Sequence, residues 1–266
     1  MLSDFTFVTH SFPKMPGITI YPIGDVHLGA AEHMEREWND FCAAVSKEDN
    51  SYIILGGDLV DNATRNSIGN GVFTNTMRPR EAKKRMTEML MPLRDKILCA
   101  VSGNHERRSG KDADDDPMYD IMCKLDLEDV YRENMVFLRL RFGNNRTDGA
   151  KNPTYILCVT HGASNGALIG SAVNRASRFG TSIDGIDGLI VGHTHKPFDV
   201  PDCKIKVDSN TNTISFKPFI MVSVTSWLGY TGYAAQKMLS PVAYVPQKII
   251  LCGNKKCIET RSILSL

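Results

Sequence analysis

Short apolar runs punctuate the chain, and each gives way to a cluster of glycine and polar residues. Residues 18–23, 52–55, 97–101, 155–159 and 188–191 are bounded in this way, which predicts buried strands. Met34, Trp38, Phe41, Cys42 and Val45 recur at spacings of three and four, which predicts an amphipathic helix over 32–48. A second helix is expected over 79–96, opening on a proline where proline is tolerated. Shorter helices are expected over 117–127 and within 166–179, and 135–142 alternates loosely as a strand. Strands alternating with helices imply an α/β fold with a parallel sheet. Segment 62–78 reads as a loop long enough to form a lid or substrate wall, and 143–152 as a turn region. Past residue 200 the pattern changes. Strand-like runs at 205–207, 214–224, 248–252 and 258–264 are joined by turns such as Asn210-Thr211-Asn212, which predicts a mostly antiparallel sheet closing the fold. No repeat or linker divides the chain. One domain over 1–266 is expected, with the strands of 200–266 completing a second sheet.

Composition narrows the class. The 266 residues are 42% hydrophobic and 23% charged, as in an ordinary soluble domain. A net charge of +1 offers no bulk attraction to nucleic acid or an anionic membrane. No apolar run has bilayer length, and the first sixteen residues carry Asp4, His10 and Lys14, unlike an export signal. The seven cysteines are scattered through apolar runs and read as reduced thiols, so a cytoplasmic location is expected. Cys252 and Cys257 read as two thiols across a hairpin turn, since no second pair has zinc-site spacing. The acidic run 112–116 is expected to cap the helix that follows it. Trp227, Tyr230 and Tyr233 are expected to pack in core or loop.

The chemistry lies at the strand ends. Asp25 and His27 follow the first strand, Asp58 and Asp61 the second, and Asn104 and His105 the third. His161 follows the fourth, and His193 and His195 the fifth. Five of the seven histidines sit in these clusters, which a shared sheet would bring to one pole. Carboxylate, imidazole and amide oxygen suit Mn²⁺, Fe or Zn²⁺, and the lack of thiolates there argues against a closed structural zinc site. Two ions sharing one carboxylate would leave positions open for water and substrate, the layout of a two-metal hydrolase. Asp25 and His27 are two apart, as are His193 and His195, a spacing that puts both side chains on one side of an extended strand end.

The ordered set Asp25-x-His27, Gly57-Asp58-x-x-Asp61, Gly103-Asn104-His105-Glu106, His161-Gly162 and Gly192-His193-Thr194-His195 resembles the calcineurin-like metallophosphoesterases, in their stand-alone bacterial and phage form. The resemblance covers residues 25–195. It implies a four-layer α/β/β/α sandwich with mixed central sheets and a metal site at the strand C-terminal ends. It implies two divalent metal ions, Mn²⁺ first, with Fe, Zn²⁺ or Ni²⁺ as alternatives. Asp25, His27 and His195 would bind one ion, Asn104, His161 and His193 the other, and Asp58 would bridge them. The implied reaction is hydrolysis of a phosphodiester or small phosphorylated metabolite by a metal-bridging hydroxide, with His105 as the acid. Asp61 and Glu106 are expected behind these groups, orienting ligands or holding His105. Arg107 and Arg108 directly follow the third motif and are the expected substrate contacts, because planar guanidinium groups suit phosphate. The Ser/Thr protein phosphatases of this superfamily carry Asp-x-His-Gly and continue their second motif with Arg-Gly. This chain has Leu28 in the first and Asn62-Ala63 in the second. Its repair nucleases usually place Asp where this chain has Glu106. A DNA or RNA nuclease, or a scaffold retaining the fold without chemistry, are the alternative readings. The expected partner is the phosphoester itself, with nucleic acid open and no membrane.

Overall fold

Alternating burial turns the apolar runs into strands of two stacked sheets. The computed structural model describes residues 3–65, 67, 71–143, 152–163, 166, 168–230, 234–235, 238, 240–241 and 244–263. In chain order its first half comprises β1 (Phe7–Phe12), β2 (Gly17–Ile23), α1 (Glu35–Lys47), β3 (Ser51–Leu55), α2 (Gly71–Thr74), α3 (Pro79–Leu90), β4 (Ile97–Val101) and α4 (Glu106–Ala113). There follow α5 (Pro117–Lys124), β5 (Tyr131–Arg132), β6 (Met135–Phe142), β7 (Thr154–Thr160), α6 (Ile169–Ser182) and β8 (Gly188–Val191). The chain closes with β9 (Asp199–Asp208), β10 (Thr213–Ser223), β11 (Gln247–Cys252) and β12 (Ile258–Ser262).

One sheet has the order β12-β11-β2-β3-β4-β5, and the other β1-β6-β7-β8-β10-β9. Strands β2 to β5 are parallel, β11 runs antiparallel beside β2, and β12 runs antiparallel beside β11. The second sheet mixes both senses. The sheets meet over Ile18, Ile20, Ile54, Leu98, Leu138, Leu140 and Leu157. Helices α1, α3 and α5 cover the outer face of the first sheet, where Trp38, Met86, Leu90 and Ile121 pack with Ile23, Ile53 and Leu55. Helix α6 covers the outer face of the second, its Ala172 and Ala176 packing with Leu189 and Met221. These are the four α/β/β/α layers. Trp227 packs as expected, fully buried with its ring centroid 5.0 Å from that of Trp38. No described helix is long and apolar enough to cross a membrane.

Several expectations change. The helix over 79–96 stops at Leu90 and continues as a 3₁₀ segment, Met91–Lys96. Pro92 has no N–H to continue the α ladder. The strands of 200–266 do not complete one sheet: β9 and β10 extend the sheet of β8, while β11 and β12 flank β2. Each pair goes where its inward side chains find the shared core, Val222 from β10 and Ile249 and Leu251 from β11. Strand β1 and helix α4 were not anticipated from sequence. The first is an edge strand with Phe7 half exposed, and the second has the polar sequence Glu-Arg-Arg-Ser-Gly-Lys-Asp-Ala. Within 62–78 the short helix α2 forms, and residues 66 and 68–70 lie outside the described set. Most of the 143–152 turn, Tyr233 and Leu264 also lie outside it. Asp116 caps α5 as expected, accepting from Tyr119 N at 3.1 Å.

Candidate metal centre

Five strands, β2, β3, β4, β7 and β8, deliver the five clusters to one pole. The turns after β2 and β3 are zipped together by Asp25 N donating to Gly57 O (3.0 Å), Val26 N to Asp58 O (2.8 Å) and Leu28 N to Leu59 O (2.9 Å). Left-handed backbone recurs here: Asp25 (φ 45°), His27 (49°), Asp58 (53°), Asn62 (47°), His193 (71°) and His195 (52°). Each such residue costs roughly 1–2 kcal/mol. The surrounding hydrogen bonds sustain that cost, as is common where geometry serves a site. The paired residues two apart therefore converge through left-handed turns, not through an extended strand end. Two glycines let the turns touch. A Cβ on Gly103 would lie 2.0 Å from Asp58 Oδ1, and one on Gly57 (φ 87°) would lie 2.6 Å from Gly103 N.

Two donor sets result. In the first, His27 Nε2 and His195 Nε2 face each other at 3.3 Å, and Asp25 Oδ1 is 3.6 Å from His195 Nε2. In the second, Asn104 Oδ1 is 2.5 Å from His193 Nδ1 and 3.0 Å from His161 Nε2. Asp58 Oδ2 is 3.2 Å from His161 Nε2 and 3.7 Å from His27 Nε2, so one oxygen faces both sets. Donor atoms lie within 4.8 Å of one another in the groups Asp25/His27/His195, Asp58/His161/His193 and His27/Asp58/His105. Two ring nitrogens face each other beside carboxylates that are 1% exposed. Such a cluster asks for cations, because buried carboxylates are costly without them. The O/N donors suit borderline divalent ions, and the residues fit two of them.

Hydrogen bonds fix which nitrogen of each ring faces inward. His161 Nδ1 bonds Gly56 O (2.8 Å) and His27 Nδ1 bonds Asp61 Oδ1 (3.3 Å), leaving both Nε2 atoms toward the centre. Burial, with the nearby His105, pushes the His27 pKa down to about 4 and keeps it neutral. Burial opposes charge on His161, but Asp58 outweighs it and raises the pKa to about 9. Burial likewise opposes the Asp58 carboxylate, yet His161 and His105 hold its pKa well below the usual range. Burial, then the neighbouring His161, lowers His193.

A supporting layer surrounds the donors. Glu106 is fully buried and accepts four backbone N–H groups: Asp58 (2.8 Å), Leu59 (2.7 Å), Val60 (3.2 Å) and Gly103 (2.8 Å). Burial and the Asp58 charge push its pKa up to about 7, while two donors on each oxygen match the carboxylate form. Asp61 faces His27 Nδ1 and His105 Nδ1 (3.0 Å) and accepts from Asn75 Nδ2 (2.7 Å). Hydrogen bonds from the two rings outweigh burial and keep the Asp61 pKa well below the carboxylate range. His105 Nε2 accepts from Arg108 Nη2 at 2.9 Å. Arg107 turns away, donating to Gly103 O and Asn134 Oδ1, so of the two expected substrate contacts only Arg108 reaches the centre. Sequence reasoning missed Asn62 and Asn75. Asn62 holds the His105 and Glu106 carbonyls, and its place beside Asp61 was the available signal. Asn75 approaches Asp61 from the loop, and no local pattern marks it.

Comparison with curated proteins finds no match. Among solved structures the chain is similar to the NAD nucleotidase of Haemophilus influenzae, at 9% identity over 92% of this chain and 49% of that one, with a TM-score of 0.40. It therefore spans about half the length of that protein. The family model for calcineurin-like phosphoesterases matches residues 18–197, a span that begins in β2 and takes in all five clusters. The chain thus belongs to the calcineurin-like phosphoesterase family.

Proposed function

We propose that the chain hydrolyses a phosphoester at a two-metal centre, with a phosphodiester or small phosphorylated metabolite as substrate. The observation that carries this reading is the Asp58 oxygen that faces both His27 and His161, a placement from which one carboxylate would serve two ions. Asp25, His27 and His195 would hold one divalent ion, and Asn104, His161 and His193 the other. When bound, such ions supply an acidified water and neutralise charge on phosphoryl oxygens.

The chain's own groups do the rest. Asp61 aligns His27 and His105, and Glu106 pins the β3 and β4 turns. Burial and Arg108 oppose a charge on His105, but Asp58 and Asp61 outweigh them and raise its pKa, which favours a proton donor. His105 Nε2, once freed of Arg108, takes up a proton from solvent and gives it to the leaving oxygen. Arg108 must first release this nitrogen, and a phosphoryl oxygen is the acceptor that draws the guanidinium away. Beside His195 lies a small cleft lined by Pro197, Ser226, Leu228 and Tyr244. The net charge of +1 does not favour a long polyanion, which places a nuclease second.

The test is hydrolysis of p-nitrophenyl phosphate and bis-p-nitrophenyl phosphate by chelated and then Mn²⁺-restored protein. Turnover should return with Mn²⁺, fall about 10²-fold or more in His105→Ala, and vanish in Asp58→Ala. Metal-bound protein that turns over neither ester nor any other phosphoester would remove this reading in favour of a scaffold.

A further inference from the structure

The β11–β12 hairpin carries three soft or charged donors far from the centre just described. Cys252 pairs with Gly17, the first residue of β2, whereas Asp25 follows the other end of that strand. The hairpin therefore lies at the opposite pole. Leu251 pairs with Ile258, which sets Cys252 opposite Cys257. Glu259 is two residues beyond Cys257 and projects to the same face. The two sulfurs and a Glu259 oxygen lie within 4.8 Å of one another.

Tyr155 ties the backbone of this hairpin to β7. Cys252 N donates to Cys257 O at 3.1 Å, as in an antiparallel ladder. The return bond is replaced by a hydroxyl. Cys257 N donates to Tyr155 Oη (2.9 Å), and Tyr155 Oη donates to Cys252 O (2.6 Å). This oxygen stands in place of the return ladder bond, and it belongs to a fully buried ring on β7. Both cysteines are free thiols. Thiolates around one tetrahedral ion, with bonds of about 2.3 Å, stand roughly 3.8 Å apart. That separation fits within the observed donor spacing.

From this arrangement we infer that Cys252, Cys257 and Glu259 form a separate site for a thiophilic divalent ion of the Zn²⁺ class. Two thiolates and a carboxylate select such an ion over Mn²⁺, which prefers the O/N donors of the other pole. Three protein ligands leave one position open, so the ion exchanges rather than being sealed in. Arg261 donates to Glu259 Oε2 at 3.3 Å and leaves the other oxygen for the ion. Lys256 is engaged with Asp187 at 2.7 Å and does not compete for Glu259. Among the described residues no other thiol belongs to such a donor group.

The test is titration of the full, Mn²⁺-saturated protein with Cd²⁺, read by sulfur-to-cadmium charge-transfer absorption. One equivalent per chain should develop that absorption. It should be absent in the Cys252→Ser/Cys257→Ser double variant and retained in Cys203→Ser, which removes an exposed thiol outside the group. Glu259→Gln should weaken uptake by at least about tenfold. The ion-free double variant should keep the circular dichroism and melting temperature of the ion-free parent, so that loss of the band reports the site and not the fold. Absorption unchanged in a folded double variant, its loss in Cys203→Ser, or a Cys252–Cys257 disulfide in the protein as isolated would overturn the inference.

Discussion

Asp61 supports two different tasks through one carboxylate. It faces His27, proposed to hold metal, and His105, proposed to donate a proton, and Asn75 ties it down from the loop side. Partners of this kind typically control metal affinity or rate by 10–100-fold. Asp61→Ala is therefore expected to lower kcat by about one to two orders of magnitude and to weaken metal binding. Steady-state kinetics with metal analysis of the same samples would check this, and an unchanged rate with unchanged metal content would remove Asp61 from the account. Glu106 works differently. It touches no donor set directly, but its four backbone bonds lock the Asp58 and Gly103 turns against each other.

Among elements, the turns that follow the strands matter more than the strands themselves. They hold six non-glycine residues in left-handed backbone and pack without space for a single added carbon at Gly103. Gly103→Ala is expected to destabilise the protein by about 1–3 kcal/mol, seen as a melting temperature several degrees lower, with loss of metal affinity. A variant that melts and binds metal like its parent would contradict the close approach. The sequence made the strand ends legible, because each apolar run stops at a dense group of ligand-type residues. It did not reveal the left-handed turns, since spacing by two is equally compatible with an extended chain. Helix α4 stayed hidden for a related reason. Its sequence is polar and lacks an apolar stripe, and Glu106 at its start is buried by the site and not by periodicity. The division of the C-terminal strands between two sheets depends on long-range pairing, Ile220–Ser223 with β8 and Ile249–Cys252 with β2, which no local pattern encodes.

The whole molecule separates two chemistries by the length of its sheets. Hard and borderline donors gather at the C-terminal pole of β2, and the thiols of the β11–β12 hairpin at its start. Proton linkage at the first pole follows from the metal-free state. The Asp58 charge overrides burial and raises His161 to about 9, so at neutral pH an ion binding as proposed would displace a proton from that ring. Affinity should therefore rise with pH until about 9. Calorimetric titration at pH 7 in buffers of different ionisation enthalpy should register proton release, and uptake without it would contradict this assignment.

The central claim is that two ions share Asp58. Its most direct test is the number and magnetic coupling of Mn²⁺ ions taken up by chelated protein, read by electron paramagnetic resonance against metal analysis. The account predicts two coupled ions per chain at the O/N centre, with the coupling lost in Asp58→Asn. A single ion per chain, or two uncoupled ions indifferent to Asp58→Asn, would contradict it.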